Sequence, residues 1–237
     1  RSPESVIDEM RHLKDNYWDS SKLYDYSASA NTKEKSNLKI PDNTIVYFVD
    51  DIFTVKKARV KKILRMMLDQ DLGMRWKCEA RTDHLDEEIC ELMAKAQCTR
   101  VKLGFESGSD RMLKLMQKDE TKEDMRRGAR MLRDAGVPFT AYFMAGFPGE
   151  TDDDLLKTIE FAKEIQADYY SLSVVAPYFG TKMYYNLIDE GVELDKKPWE
   201  YFFHQTGELM ANTKISRNVL EQFLAINEMN NKGKGYI

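Results

Sequence analysis

The stretch Arg100-Val101-Lys102-Leu103-Gly104-Phe105-Glu106-Ser107-Gly108-Ser109 decides how the rest of the chain is read. A strand-like run over Arg100 to Phe105 ends in Gly-Phe-Glu-Ser-Gly-Ser, and a helical pattern from Asp110 to Met116 follows at once. The junction therefore puts the Glu106 carboxylate, the Ser107 hydroxyl and several backbone N–H groups between a strand tip and a helix start. A ligand carrying both hydroxyls and an anionic group suits it. A carboxylate accepts from a diol, and helix-start N–H groups receive a carboxylate or phosphate. Taken alone, the same residues also fit a glycine-containing turn with Ser109 as helix N-cap.

Outward from this junction the chain alternates. Strand-like runs are expected at Thr44–Val49, Arg75–Glu79, Phe139–Met144 and Tyr169–Val174 as well as at Arg100–Phe105. Between them Val60, Ile63, Leu64, Met67 and Leu68 keep the i, i+3, i+4, i+7, i+8 spacing of one buried helical face. Leu85, Ile89, Leu92, Met93 and Ala96 follow a similar rhythm. Thr121 with Asp124, and Thr151 with Asp154, fit a capping box, and Gly136 before Pro138 closes a helix. Strand–helix alternation with short connections implies a parallel sheet covered by helices, and near-continuous apolar strands agree with burial on both faces.

The ends depart from this repeat. Pro3 to Tyr17 reads as a helix with Val6, Met10 and Leu13 inward, and Asp19 to Asn43 as a polar, partly mobile surface insertion. A helix near Met183–Glu190, an aromatic segment (Trp199, Tyr201, Phe202, Phe203), a helix from Ser216 and a frayed tail from Asn230 complete the chain. Residues 1–191 are thus expected to form a core and 192–237 a helical extension.

At 237 residues, 42% of them apolar, the chain can build one large core, and 32% charged residues give it a solvated exterior. A net charge of −4 without a Lys/Arg block argues against nucleic-acid wrapping, and no apolar run reaches the roughly 20 residues of a membrane span. Three widely spaced cysteines, Cys78, Cys90 and Cys98, match no disulfide framework or compact metal motif, so a reducing cytoplasm and buried thiols are expected.

Each strand end carries polar chemistry. The endings are Asp50-Asp51-Ile52-Phe53, Arg81-Thr82-Asp83, Glu106-Ser107, Gly146-Phe147-Pro148-Gly149-Glu150-Thr151 and Pro177-Tyr178-Phe179-Gly180-Thr181. In parallel α/β folds the active site lies outside the carboxyl ends of the strands. Blander readings exist for each: Asp50 and Asp51 as caps of the next helix, Arg81 with Asp83 as a structural ion pair. Gly146–Gly149 lacks the Lys-Ser/Thr ending of a phosphate-binding loop, and His12, His84 and His204 stand isolated.

The ordered set Asp-Asp-x-Phe, Arg-x-Asp, Gly-Phe-Glu-Ser-Gly-Ser, Met116-Gln117-Lys118 with Thr121, and Gly-Phe-Pro-Gly-Glu-Thr resembles the radical S-adenosylmethionine (SAM) superfamily. Within it the set is most similar to the cobalamin-binding branch of methyltransferases and anaerobic magnesium-protoporphyrin ester cyclases. The resemblance implies an α/β fold, a partial (β/α)6 TIM-type barrel with parallel strands, binding SAM across its mouth. A reduced [4Fe–4S] cluster would cleave SAM to a 5′-deoxyadenosyl radical. Glu106 would hold the ribose hydroxyls, and Ser107 with the helix start after Gly108 would face the methionine carboxylate beside Arg81 or Lys118. Asp50 or Asp51 would accept from the ammonium, Met144 and Gly146 would pass along the adenine with Pro177 nearby, and Glu150 would brace its turn. The implied partners are a small-molecule substrate and an electron donor such as flavodoxin or ferredoxin; a methylthiotransferase or a non-catalytic binding scaffold is the alternative.

The departures are equally specific. The family's Cys-x-x-x-Cys-x-x-Cys cluster loop, its first strand and the branch's cobalamin domain have no counterpart in this sequence, and Cys78, Cys90 and Cys98 are wrongly spaced to replace the loop. The expectation is that these parts precede Arg1, that the chain alone has no radical activity, and that Thr44–Val49 is an unpaired edge. Gln97 stands where glycine is usual, and Phe179 where a second proline is usual.

Overall fold

The computed structural model describes residues 1–18, 45–202 and 213–231. The expected insertion at 19–43, Phe203, His204 and the tail beyond residue 231 lie outside the described residues. The chain divides into two compact units: Arg1–Lys102 with Arg130–Pro138, and Leu103–Ala129 with Phe139–Tyr236. Its five strands follow one another in sequence order through one sheet.

The first unit opens with α1 (Pro3–Tyr17), capped by Ser2 and started by a proline whose missing N–H costs nothing at a helix N-terminus. Next come β1 (Val46–Tyr47), α2 (Lys57–Asp69), β2 (Trp76–Ala80) and α3 (Glu87–Lys95). Of the expected helical stripe, Val60, Ile63, Leu64 and Met67 on α2 and Ile89 and Met93 on α3 are buried, Leu68 and Leu92 are half-buried, and Cys90 is buried beside them. Strands β1 and β2 are parallel, with Val46 beside Trp76 and Tyr47 beside Lys77. Burial alternates along β2, so Trp76, Cys78 and Ala80 face the core while Lys77 and Glu79 stay half-exposed. Burial of Trp76 is completed by its indole N–H, which donates to the Ala96 carbonyl at 2.6 Å.

Strand β3 (Cys98–Glu106) and helix α5 (Lys122–Asp134) contribute residues to both units. The second unit adds α4 (Asp110–Leu115), β4 (Phe139–Ala145), α6 (Asp152–Ile165), β5 (Tyr169–Val174), α7 (Lys182–Asp189) and α8 (Arg217–Asn231). Strands β4 and β5 pair in parallel from Thr140–Tyr169 to Ala145–Val174. An aromatic core of Phe105, Phe139, Phe143, Phe161 and Tyr170 lies here, with ring centroids 5.5–6.5 Å apart in offset and edge-on contacts. Helix α8 packs on β5 and α6 within this same unit. Among the described residues no helix is long and apolar enough to cross a membrane.

Strands β1 and β3 differ most from expectation, while the ends of β2 and β4 shift by a single residue. Of the expected strand Thr44–Val49, Thr44 lies outside the described residues and Val46–Tyr47 form β1: Phe48 still donates to Lys77 O, then the chain leaves the ladder and Val49 is 80% exposed. Strand β3 begins earlier, at Cys98, directly after Gln97 in a left-handed conformation (φ +63°). That conformation explains the departure at Gln97: glycine would adopt it freely, and glutamine does so with some strain.

Candidate functional site

The second unit builds its candidate site around the end of β3. Glu106, the last strand residue, has φ +64°, a left-handed conformation that a non-glycine residue adopts only when its surroundings impose it. Lys118 supplies part of that constraint. Its ammonium donates to the Gly104 carbonyl at 2.8 Å and lies 3.7 Å from the Glu106 carboxylate and 2.9 Å from Glu120. Gly104 makes room for the cluster: a Cβ there would sit 2.3 Å from Glu106 Oε1. Burial raises the Glu106 carboxyl above its ordinary value, Lys118 pulls it back only partly, and Glu120 pushes it up again. The carboxylate is therefore short of donors.

Ser107 is fully buried and its hydroxyl serves the scaffold. It lies 3.0 Å from the Thr158 hydroxyl and accepts the Ser109 N–H, while Gly108 N–H donates to Thr158 at 3.0 Å. Ser109 caps α4, as its place in the turn predicts, and also donates to Asp154 at 2.6 Å. Asp154 closes the expected capping box with Thr151 and receives Arg111 as well. Burial works against its charge, but hydrogen bonds from Arg111, Ser109 and Thr151 outweigh it and hold the carboxyl well below the usual range. Gly108 is required by close approach, since a Cβ would meet Lys157 O at 2.4 Å and Phe161 Cβ at 2.6 Å. The Gly108–Ser109 loop is thus bolted to the first turns of α6.

The turn after β4 is built on Glu150. Its Oε2 accepts from Gly146 N–H at 2.6 Å and Phe147 N–H at 3.1 Å, while Oε1 is buried without a hydrogen-bond partner. Burial pushes the carboxyl up to about 7, against the two N–H groups that favour its charge. Gly146 and Gly149 take positive φ in the turn, and Arg111 donates to the Gly149 carbonyl at 2.9 Å. Met144 packs with Phe147 against the cluster of Val175, Tyr184, Leu187 and Tyr201, and Pro177 is buried beyond β5. Beside this turn lies a cavity of about 720 Å³ bordered by Met116, Gln117, Phe147, Pro148 and Met183. That volume falls within the ~300–1,000 Å³ of small-molecule pockets.

In the first unit, Asp50 and Asp51 are exposed in the turn after β1 and make no hydrogen bond within the described residues. They do not cap α2, which starts at Lys57 with Lys56 at its N-cap and no side-chain cap. Arg81 grips Asp83 through two hydrogen bonds of 3.0 Å, so the structural ion pair exists. Sequence reasoning missed Thr158, Glu120 and the tie from Arg111, and it saw Asp154 only as a cap. Their partners lie up to 51 residues away in the chain.

The family model of the Radical SAM superfamily matches residues 1–162. An uncharacterized methyltransferase of Pyrococcus horikoshii is 30% identical over 59% of this chain and 30% of its own length. The anaerobic magnesium-protoporphyrin IX monomethyl ester cyclase of Rubrivivax gelatinosus is 25% identical over 68% of this chain and 30% of its own. Among solved structures, the radical S-adenosylmethionine methyltransferase TsrM of Kitasatospora setae, with cobalamin and a [4Fe–4S] cluster bound, superposes with a TM-score of 0.60 at 21% identity. That match covers 80% of this chain and 34% of TsrM. The expected fold, a partial TIM-type barrel of parallel strands with helices, is therefore the observed one.

The chain belongs to the radical SAM superfamily. It spans about a third of the length of the curated relatives named here. The family's SAM and [4Fe–4S] cofactors meet different fits in this sequence. The donor-poor Glu106 carboxylate beside Lys118 suits a ligand with hydroxyls. The cluster finds no place: Cys78, Cys90 and Cys98 are all buried, and burial drives the Cys90 thiol up to about 12 and Cys78 well above its ordinary value. Among the described residues no three His, Cys, Asp or Glu side chains could hold a metal ion.

Proposed function

We propose that this chain is the SAM-binding part of a cobalamin-dependent radical SAM enzyme that transfers a methyl group or performs a related carbon-radical reaction. Its cluster ligands and cobalamin domain belong to sequence outside this chain, and these residues alone have no radical activity. A reduced cluster would supply the electron that cleaves SAM; the residues here bind and orient it.

Glu106 carries the reading. A carboxylate held at φ +64° on a strand tip, with its ionised form disfavoured by burial, is stabilised by two hydroxyl donors in cis, as a ribose provides. Lys118 holds that carboxylate in place and offers a cation to the methionine carboxylate. Ser107 and Gly108 act by bracing, since their polar atoms already serve Thr158 and Ser109. Glu150 shapes the Gly146–Phe147 turn for the adenine, with Met144 and Pro177 behind it. Asp50, Asp51 and Arg81 keep their assignment to the methionine end on the resemblance alone. The substrate is a small molecule, the electron donor a flavodoxin or ferredoxin, and the compartment the cytoplasm.

Titration calorimetry with SAM tests this reading. Glu106→Ala is expected to weaken binding at least tenfold, about 1.4 kcal/mol, and Asp50→Ala less. Absence of SAM binding by the unaltered chain overturns the proposal in favour of a binding scaffold. A product of the whole enzyme carrying sulfur with its methyl group would identify methylthio transfer instead.

A further inference from the structure

The sheet of the first unit carries charge on the face opposite its core. Tyr47, Lys77, Glu79, Arg100 and Lys102 alternate with the buried Trp76, Cys78 and Val101 along β1, β2 and β3. Tyr47 stands directly beside Lys77 in the parallel register.

The cluster is organised around the Tyr47 ring. The Lys77 ammonium lies 5.1 Å from its centroid and that of Lys102 4.4 Å, so one aromatic ring carries two cations. Lys102 also donates to the Tyr47 hydroxyl at 2.9 Å, the hydroxyl donates to Glu79, and Lys102 lies 3.6 Å from that carboxylate. Glu79 is thereby committed to Tyr47 and Lys102. Lys77 is left half-buried, without a carboxylate or hydrogen-bond acceptor among the described residues. Burial, and after it the charges of Lys102 and Arg100, lower its ammonium below the ordinary lysine value. Among the described residues Lys77 therefore stands near the charges of Lys102 and Arg100, while the Glu79 carboxylate is already engaged by Tyr47 and Lys102. A lysine serving only solubility would extend into water, because holding like charges together in a half-buried setting is unfavourable.

We propose that Lys77 and Lys102 at the Tyr47 ring, with Arg100 on the same face, form a binding site for an oxyanion, the carboxylate or phosphate group of a small organic molecule. The site goes beyond the SAM reading and stands independently of it, since none of its residues serves that ligand in the assignments above. Its chemistry selects against neutral and cationic ligands: an incoming oxyanion relieves the repulsion among the three cations and gives Lys77 the acceptor it lacks. Tyr47 keeps the ammonium groups apart and orients them, so the aromatic ring is a positioning residue.

The test uses this chain with its lysines labelled with carbon-13 at Cε, titrated by NMR with inorganic phosphate, with acetate, and with sodium chloride at matched ionic strength. Phosphate or acetate is expected to raise the Lys77 titration midpoint and to shift its resonance saturably, whereas chloride leaves both nearly unchanged. The arm that binds more tightly identifies phosphate or carboxylate as the preferred group. Lys77→Gln is expected to weaken that binding at least fivefold and Lys77→Arg to retain it, with circular dichroism reporting that both variants stay folded. Glu106→Gln, which disables the proposed ribose contact, should leave anion binding as it was. Equal responses to all three salts, binding by Lys77→Gln at full strength, or no saturable shift with either oxyanion overturns the proposal.

Discussion

At the scale of single residues, Glu150 makes a pH dependence unavoidable. Its carboxyl stands at about 7 in the fold, against about 4.3 for a free glutamate. Between those values the folded chain holds a proton that the unfolded chain has released, so stability must fall as pH rises from about 4.5 to about 7 and then level off. The loss amounts to about 3 kcal/mol for this fully buried group. Glu150→Gln keeps the shape and removes the charge. Urea unfolding at several pH values should show the decline in the natural chain and a flatter profile in the variant, and equal slopes would refute the assignment. Lys118 joins the same scale: Lys118→Met should raise the Glu106 carboxyl further, readable by carboxylate NMR, because the nearest cation is gone. The Glu106 carboxylate was legible as a candidate ligand group from its place after a strand-like run. Its left-handed backbone and the Glu120 beneath Lys118 were not, because both come from tertiary neighbours that no local spacing encodes.

At the scale of elements, the junction between β3 and α4 depends on α6. Asp154 caps its own helix and holds Ser109 and Arg111, so Asp154→Ala is expected to cost about 2–4 kcal/mol, more than an ordinary cap. Because the folded carboxyl is held low, its contribution is complete above about pH 4 and is lost as pH falls toward the folded value. Thermal melts of the natural chain and the variant should therefore differ most at neutral pH and converge in strong acid. Gly108→Ala must push against a backbone carbonyl at 2.4 Å, with an expected loss of about 1–3 kcal/mol in chemical denaturation. An unchanged midpoint would show that α6 can retreat. Helix positions were readable because Thr-x-x-Asp caps and the 3.6-residue rhythm are local signals. Strand β1 was overestimated, since an apolar run marks burial without saying where pairing stops: Phe48 keeps its aromatic contacts with Phe53 and Trp76 after the ladder ends.

At the scale of the molecule, alternation of apolar strands and capped helices carried the α/β architecture, and the order of five polar strand ends carried the family. What that order left open was the division of labour, in which the polar atoms of Ser107 and Gly108 are already engaged by Thr158 and Ser109. The same scale holds the cluster question. Anaerobic addition of iron and sulfide to this chain should yield no stoichiometric cluster absorption, because its three thiols are buried and burial disfavours the thiolates of Cys78 and Cys90. A full cluster would contradict that. The central claim, that Glu106 receives the ribose of SAM, is tested most directly by carboxylate NMR of Glu106 across pH with and without SAM. The account predicts a lower titration midpoint with SAM, as two hydroxyl donors favour the ionised form. A midpoint that stays put or rises while SAM is bound would contradict it.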